Sequence, residues 1–193
     1  MEKLKMLLCS IQLIPHLLVF NFHKNRSIIR YDTKRWMEIY NIHRNIQSGF
    51  LELMRILPEY RNLFYMRMGA HQGMINWLCP KMESLLIRTN DIGPGLIIRH
   101  GLSTTIGAKS IGKDCMIYRH VSTSFSTDNE NPVIGDNVTI LSGAILIGGV
   151  KIGDNAVIGA GAVVVKDVPE NCYVVGKPGY VIQNKDVKLE VSL

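Results

Sequence analysis

Aliphatic residues recur every six positions along the second half of the chain, with polar or small residues between them. From residue 134 onward the spacing is unbroken over Ile134, Ile140, Leu146, Ile152, Ile158 and Val164. Glycine follows three of these positions, and Asn and Asp occupy places where turns need positive φ or close approach. A six-residue step predicts a parallel β-helix, in which each hexapeptide forms one short strand and one turn.

The same spacing extends upstream, so the predicted β-helix begins before residue 100. Its positions there, with one residue of slip before the last two, are Leu86, Ile92, Ile98, Ile111 and Ile117. Three hexapeptides close one triangular coil, so residues 86–169 give roughly four to five coils. Each coil buries its inward residues against its neighbours, and stacking therefore supplies the stability. The spacing alone does not give the hand of the helix.

The spacing is interrupted once, at residues 123–131, which read "TSFSTDNEN". This stretch predicts a loop extruded from the coil. Loops on a rigid scaffold commonly carry function, and a tolerated surface insertion is the alternative.

The first half of the chain has a helical period instead. Apolar residues in the range 33–56 follow three-and-four spacing, which predicts an amphipathic helix with Thr33 as its cap and Pro58 as its stop. Residues 59–80 predict a second, shorter helical stretch. We therefore divide the chain into a helical N-terminal region (1–84), a β-helix domain (85–182) and a C-terminal tail (183–193).

Charge is distributed unevenly between these regions. The 193 residues carry a net charge of +6, and residues 1–84 hold 12 Lys and Arg against 6 Asp and Glu. This excess indicates an anionic neighbour, such as a membrane surface or an acidic substrate, or else a solvated basic face. The apolar run near the N-terminus is interrupted by polar residues and Pro15, and it is shorter than a bilayer span of roughly 20 residues. It predicts a packed or membrane-surface helix.

The cysteines and histidines predict no metal site. The four cysteines are far apart in sequence and indicate thiols in a reducing compartment. A thiol can carry an acyl intermediate, but Cys115 occupies a repeat position typical of inward small residues. The helical region's histidines also lack a ligand spacing, and they are His16, His23, His43 and His71.

Three segments of the β-helix carry a resemblance to a known family. They read "IGPGLIIRHG", "IGKDCMIYRHVST" and "NPVIGDNVTILSGAILIGGVKIGDNAVIGAGAVVVKDVPENCYVVGKPGYVI". In this order they resemble the hexapeptide-repeat acyltransferases, and among these the serine acetyltransferase branch, which includes O-acetyltransferases of surface polysaccharides. The resemblance implies a mainly β fold with a left-handed parallel β-helix, and acetyl transfer from acetyl-CoA, a cosubstrate, to a hydroxyl.

The resemblance also implies roles for individual residues. His100 matches the general base, and an imidazole suits this role because it titrates near neutral pH. An exposed or subunit-packing histidine is the alternative. Ala144 and Ala162 match positions that contact the pantetheine arm of CoA, and Lys166 and Lys177 are candidate phosphate partners. Family members are trimers, some of which pair into hexamers.

Several positions depart from the serine acetyltransferase pattern. Arg99 stands where the family has an acidic residue that helps to hold the serine amino group. Glu130 and Asn131 replace a basic pair of the acceptor site, and Leu85 replaces the carboxylate that orients the base. We consider Glu83 and Asp91 as substitutes for that carboxylate.

The acceptor site is predicted from these departures and from the length of one coil. Arg119 should stack closest to His100, with His120 beside it, and Arg99, Arg119 and Asn131 are the predicted acceptor contacts. The lost charges favour a neutral sugar over an amino acid.

We therefore expect an acetyl-CoA-dependent O-acetyltransferase whose acceptor is a sugar of a surface polysaccharide. Serine O-acetylation in cysteine synthesis is the first alternative, and a non-catalytic β-helix binding module is the second. We expect a cytoplasmic location, with contact at the inner membrane face through the N-terminal region as an open alternative, and no nucleic-acid partner.

Overall fold

The computed structural model describes residues 12–123, 130–176, 180–184 and 191–192, the last two ranges as backbone only. The chain forms two compact units, Met1–Met82 and Glu83–Leu193. The first unit is helical and the second is built from short strands.

Four α-helices and one 3-10 helix make up the described part of the first unit. The predicted helix over 33–56 is wrong, because the chain leaves the helical conformation after Ile39, where Asn41 adopts a left-handed φ of +53°. Asn45 then caps a new helix by accepting a hydrogen bond from the Ser48 backbone N–H at 2.9 Å. The elements are α1 (Ile14–Phe22), α2 (Arg26–Ile39), α3 (Ile46–Ile56), α4 (Pro58–Met68) and the 3-10 helix Gly69–Met74.

Two residues that were assigned to helix ends have other roles. Thr33 lies inside α2, fully buried, and its Oγ1 donates to the Ile29 carbonyl at 2.6 Å. Pro58 opens α4, where its missing N–H costs nothing because the first turn of a helix has no intrahelical acceptor for it.

Aromatic rings and one buried ion pair hold the helical unit together. Phe20 stacks on Phe50 with centroids 4.4 Å apart, and Trp36 meets Tyr60 edge-on at 5.3 Å. Arg67 Nε donates to Asp32 Oδ2 at 2.9 Å, and both side chains are almost fully buried. Removing one member of such a pair leaves the other charged and desolvated, so the two residues constrain how α2 and α4 pack.

His16 is buried in the same unit. Its Nε2 lies 2.8 Å from the Tyr65 hydroxyl, which donates to the Cys79 carbonyl at 2.7 Å. Burial lowers the pKa of His16, and the positive charge of Arg61 lowers it further. The imidazole therefore stays neutral in the folded protein at pH values where an exposed histidine takes up a proton.

The second unit is a left-handed parallel β-helix, as predicted. The strands are β1 (Leu85–Ile87), β2 (Asp91–Ile92), β3 (Ile97–Arg99), β4 (Thr104–Ile106), β5 (Ser110–Ile111), β6 (Met116–Tyr118), β7 (Val133–Ile134), β8 (Thr139–Ile140), β9 (Ile145–Leu146), β10 (Lys151–Ile152), β11 (Val157–Ile158), β12 (Val163–Val164), β13 (Cys172–Val175), β14 (Tyr180–Asn184) and β15 (Val191–Ser192). They form three faces that we call A, B and C in chain order. Face A contains β1, β4, β9 and β12, with Ser122 bridging its two strand pairs; face B contains β2, β5, β7 and β10. Face C contains β3, β6, β8, β11 and β13, and β14 and β15 extend it in antiparallel fashion.

Inward aliphatic residues stack in register along each face. On face C all members of the column are fully buried: Ile98, Ile117, Ile140, Ile158 and Val174. The pairing of Ile98 with Ile117 confirms the one-residue slip.

The assignment of Leu86 to an inward position is wrong, because Leu86 is 44% exposed whereas Leu85 is buried. The residue in register with the inward Ile106 is Ile87, since the first turn is one residue shorter than the repeat.

The turns from face B to face C use left-handed backbone in every coil. The residues with positive φ are Gly95, Asp114, Asn137, Asn155 and Asn171, types that tolerate this conformation. The asparagines also bond to one another, because Asn137 Nδ2 donates to Asn155 Oδ1 at 2.9 Å and Asn155 Nδ2 to Asn171 Oδ1 at 3.2 Å. Side-chain hydrogen bonds thus reinforce the stack along one corner.

The unfolding free energy of the helical unit should fall between pH 7.5 and pH 5.5. Unfolded His16 takes up a proton near its ordinary pKa of about 6.5, whereas burial lowers the pKa of the folded residue. Both tryptophans, Trp36 and Trp77, lie in this unit, so urea titrations followed by tryptophan fluorescence report its stability.

His16→Gln should flatten this pH dependence. A residual slope is expected from His23, whose pKa is lowered by burial and by the charges of His71 and Lys24. His43→Gln, at an exposed position, is the control and should retain the wild-type slope. A wild-type slope in His16→Gln would contradict the assignment.

Gly112→Ala should destabilise the β-helix by about 1–3 kcal/mol, as overpacking does. A Cβ at this position would overlap Asp136 Oδ1 and lie 2.5 Å from the Gly135 carbonyl oxygen on the next coil. Thermal unfolding followed by circular dichroism measures the effect. Gly73→Ala, where nothing lies within 4 Å of the added Cβ, is the control, and equal stability of the two variants would count against close coil stacking.

Candidate active site

The corner between faces C and A brings the predicted base and two predicted acceptor contacts together. We call residues 100–103, 119–121, 141–144 and 159–162 the C–A corner. Arg99 and Tyr118 are register partners at the ends of β3 and β6. Because His100 follows the first and Arg119 follows the second, these two residues occupy successive coils at the start of the corner, as the sequence predicted.

Two histidines of this corner adopt left-handed backbone. His100 has φ +54°. Ser103, His120, Gly143 and Gly161 have φ +50°, +58°, +76° and +67° at matching places on the four successive coils. A non-glycine residue at positive φ costs roughly 1–3 kcal/mol, a strain that clusters at functional sites. Both imidazoles are exposed, and they are therefore accessible to a ligand that lies along the corner.

Neither candidate carboxylate makes a hydrogen bond to the His100 ring among the residues that the structure describes. Asp91 lies in β2 on face B, away from the corner. Glu83 is exposed and precedes Ser84, whose carbonyl accepts from the Thr104 backbone N–H at 3.2 Å. Glu83 is therefore the candidate closer to the corner, at the N-terminal end of the β-helix.

Arg99 is supported by an aromatic ring of the next coil. Its Cζ lies 5.9 Å from the centroid of the Tyr118 ring, within the range of a cation–π interaction. Tyr118 was not among the predicted site residues. The sequence does contain a signal for it, because Tyr118 follows Arg99 by one coil. Counting one coil onward from Arg99, with the one-residue slip included, leads to Tyr118.

The other predicted acceptor contact and the predicted phosphate partners do not lie at the C–A corner with His100. Asn131 and Lys166 lie at the corner between faces A and B, so within one chain the whole of face A separates them from His100. Asn131 precedes Pro132, whose carbonyl accepts from the Lys109 N–H at 2.8 Å. Lys177 lies outside the described residues.

Ala144 and Ala162 lie on the C–A corner but point into the β-helix. Both side chains are fully buried, and Ile145 N–H donates to the Ala162 carbonyl at 2.8 Å. Any contact of these residues with a molecule outside the coil therefore involves backbone atoms. The more accessible positions on the same two coils are Ser142, Gly143, Ala160 and Gly161.

Cys115 is excluded as an acyl carrier in this conformation. Its thiol is buried, and Sγ lies 3.1 Å from the Gly135 carbonyl oxygen. In residues 12–123, 130–176, 180–184 and 191–192, no group of three or more His, Cys, Asp or Glu has the geometry of a metal site. Over the same residues, no helix has the length and hydrophobicity needed to span a bilayer.

Comparison with known proteins supports the class of protein that the repeats indicate, the hexapeptide-repeat transferases. Residues 131–166 match the family model described as bacterial transferase hexapeptide (six repeats). This match supports the resemblance to hexapeptide-repeat acyltransferases over the repeats. Individual relatives support the resemblance to the serine acetyltransferase branch.

The curated relatives are serine acetyltransferases that are longer than the matched segment. The serine acetyltransferase of Synechococcus elongatus is 40% identical over 103 residues, which are 51% of this chain and 42% of the relative. That of Staphylococcus aureus is 39% identical over 102 residues, which are 51% of this chain and 48% of the relative. The chain thus matches a little under half of each relative's length.

Solved structures of the same type share the fold. Serine acetyltransferase of Neisseria gonorrhoeae has a TM-score of 0.64 at 24% identity, covering 87% of this chain and 68% of that one. The Brucella abortus enzyme has a TM-score of 0.65 at 20% identity, covering 90% and 74%. At these identities the structural similarity concerns the fold alone.

Proposed function

We propose that this protein is an acetyl-CoA-dependent O-acetyltransferase in which His100 is the general base. The observation that carries the proposal is an exposed imidazole, on left-handed backbone, at a corner of a β-helix whose sequence relatives are serine acetyltransferases. A neighbour in fold, with a TM-score of 0.64 at 20% identity over 88% of this chain and 74% of that one, is described as a serine acetyltransferase in complex with CoA.

The proposed reaction transfers an acetyl group from sulfur to oxygen. His100 removes the proton of the acceptor hydroxyl while the oxygen attacks the thioester carbonyl. A backbone N–H stabilises the charge that develops on the carbonyl oxygen. The attack forms the ester C–O bond; the carbonyl double bond then re-forms as the C–S bond breaks, and the proton held by His100 passes to the CoA sulfur.

The last two coils of the C–A corner, residues 141–144 and 159–162, are the proposed path for the pantetheine arm. Small residues there, including Gly143, Ala160 and Gly161, expose backbone groups along two successive coils. Backbone atoms of Ala144 and Ala162 lie on the same two coils. Lys166 and Lys177 stay predicted partners of the CoA phosphates, with Lys166 exposed on the next corner.

L-Serine is the acceptor that the comparisons favour over a polysaccharide sugar. The relatives are named for it, and one neighbour in fold is described as a complex with serine. A sugar hydroxyl is the second candidate, and the observation that favours it is Arg99, a cation at the position where the resemblance predicts an acidic residue. A non-catalytic binding module is the remaining alternative.

A homotrimer is the proposed assembly, with pairing into hexamers as the alternative. The resemblance implies that a CoA bound partly by one subunit meets the histidine of the next, and cyclic symmetry gives each site one histidine. Partly exposed aliphatic residues, Leu141 at the C–A corner and Ile145 and Val163 on face A, suit packing between subunits.

A peripheral membrane contact of a cytoplasmic protein is the proposed role of α1. Ile14, Leu18 and Phe22 are 52%, 56% and 78% exposed and lie four residues apart, on one side of the helix. An exposed apolar stripe of this kind suits insertion into the headgroup region of a membrane.

Basic residues next to the stripe favour an anionic surface. Lys24 and Arg26 are exposed immediately after α1. Arg30 donates to Asn21 of α1 at 3.0 Å and holds its guanidinium 5.3 Å from the Phe20 ring centroid. Each basic residue near an anionic membrane contributes about 1 kcal/mol of attraction.

His100→Ala should lower turnover at least about a hundredfold, the low end for loss of a general base. CoA affinity should stay close to wild type, because the proposed pantetheine path does not include the imidazole. A thiol-release assay with acetyl-CoA and either L-serine or neutral sugars measures turnover, and calorimetry measures CoA binding.

His43→Ala is the matched control for this experiment, since His43 is exposed in the helical unit. Unchanged turnover in His100→Ala would remove the imidazole from the mechanism. Absence of both turnover and acetyl-CoA binding in the wild-type protein would favour the non-catalytic alternative.

Phe22→Asp should weaken cosedimentation with phosphatidylglycerol vesicles about tenfold or more, because a buried phenyl side chain contributes roughly 1.5–3 kcal/mol. Phosphatidylcholine vesicles should bind the wild-type protein less well. Ile56→Asp, at another exposed apolar position, is the control. Equal binding of both variants and the wild type would refute membrane contact through α1.

A further inference from the structure

We infer that α1 is docked on the helical unit only while His16 and His23 are neutral, that mild acid undocks it, and that undocking strengthens its binding to an anionic membrane. The undocking depends on contacts inside the helical unit and is independent of the proposed acetyl transfer. The effect on membrane binding rests on the membrane contact that is proposed for α1.

The first anchor of α1 is His16, which attaches it to α4. The Tyr65 hydroxyl lies 2.8 Å from His16 Nε2 and donates to the Cys79 carbonyl. This hydroxyl therefore accepts from His16 Nε2–H, so the neutral ring has no proton on Nδ1. Nδ1 is buried and makes no hydrogen bond to the residues that the structure describes. A second proton thus has to enter a buried position, which is costly for a charged group.

The second anchor is His23, at the C-terminal end of α1. Its Nδ1 accepts a hydrogen bond from the Asn25 backbone N–H at 3.1 Å, so the proton of the neutral ring is on Nε2. Asn25 begins α2 and donates through Nδ2 to the Arg67 carbonyl, at the end of α4, at 2.7 Å. Protonation of His23 places a second donor against the Asn25 N–H and breaks the hydrogen bond that orders this turn.

The charged groups around each histidine give the direction of the effect. Burial lowers the pKa of His16, the Gln12 backbone opposes this, and the positive charge of Arg61 adds to it. Burial also lowers the pKa of His23, and the charges of His71 and Lys24 lower it further.

His23 has little compensation for a positive charge. The His71 ring of the 3-10 helix lies with its centroid 6.0 Å from that of His23. On α2 and α4, Asp32 and Arg67 are already paired with each other. Because α1 ends and α2 begins at this turn, the opposite ends of two helix dipoles offset each other there.

The helices α2, α3 and α4 pack on one another through contacts that do not involve α1. Besides the buried ion pair between α2 and α4, Thr33 Oγ1 lies 2.7 Å from the Tyr60 hydroxyl. Phe50 of α3 meets Phe64 of α4 with ring centroids 5.2 Å apart. Loss of the two histidine contacts therefore weakens the docking of α1 and leaves these contacts in place.

Undocking changes what α1 offers to a membrane. In the docked helix Leu13 and Phe20 are buried, on the side away from the exposed stripe. Release frees these side chains for contact with lipid, and two imidazolium charges add to the basic residues beside the helix. More apolar area and more positive charge both strengthen binding to an anionic bilayer.

Hydrogen exchange followed by mass spectrometry at pH 7.5 and pH 5.5 tests the undocking. A histidine that titrates near its ordinary pKa of about 6.5 when released raises the opening constant up to about tenfold over this interval, and two raise it up to about a hundredfold. The protection of α1, corrected for the intrinsic exchange rate, should fall accordingly. At both pH values α4 should stay more protected than α1, because α1 opens without it.

The glutamine variants assign this fall to the two histidines, because glutamine donates and accepts hydrogen bonds but does not titrate. His16→Gln and His23→Gln should each limit the fall to about tenfold or less, and the double variant should abolish it. His43→Gln, at an exposed position, is the control and should match the wild type. Circular dichroism checks that the variants fold.

The wild-type protein alone decides the undocking if a variant does not fold. Unchanged protection of α1 between the two pH values, or equal protection of α1 and α4 at each pH, would overturn it. A full fall that persists in a folded double variant would do the same.

Cosedimentation with phosphatidylglycerol vesicles at the same two pH values tests the effect on membrane binding. The wild type should bind about tenfold or more tightly at pH 5.5, since each added positive charge contributes about 1 kcal/mol, and the double variant should bind equally at both. Equal wild-type binding at both pH values, or the same increase in the double variant, would overturn this effect. Absence of binding at either pH refutes the proposed membrane contact and this effect with it, whereas hydrogen exchange still decides the undocking.

Discussion

The register of hydrogen bonds between successive coils is the constraint on which the site depends. Strands of two or three residues are too short to be stable alone, so each coil is held by parallel pairing and by inward residues such as Ile117 and Ile140. The close approach of coils leaves no room for a Cβ at Gly112 or Gly135. Once the register is fixed, Arg99 must lie against Tyr118 and His100 must precede Arg119 by one coil.

The sequence predicted the regular part of the fold well because one physical requirement repeats there. Each coil must bury an aliphatic residue at the same place, and Ile134 to Val164 satisfy this without interruption. At the first coil the turn is shorter than the repeat, so the six-residue count selected Leu86 where the chain buries Leu85 and pairs Ile87. In the helical unit, the apolar spacing continues between Ile39 and Ile46, where the helix is interrupted. The interruption is visible only in the left-handed backbone of Asn41 and in the cap formed by Asn45.

The candidate site was less predictable than the fold, for a related reason. Counting by coils correctly placed Arg119 next to His100, because both follow strands whose register is fixed. Counting does not tell whether a corner residue faces inward, and the methyl groups of Ala144 and Ala162 proved to be inside. Nor does sequence order show which corner a loop end reaches, and Asn131 therefore lies one face away from His100.

The separation between scaffold and corner explains how the acceptor chemistry can differ without a change of fold. The corner's shape comes from backbone conformation and inward packing, and its outward side chains contribute little to the stack. An arginine can therefore stand where the resemblance predicts an acidic residue, while Ile98, its neighbour, stays in the buried column. Similarity of the repeats therefore reports the β-helix, and the outward residues beside His100, such as Arg99 and Tyr118, can vary without disturbing it.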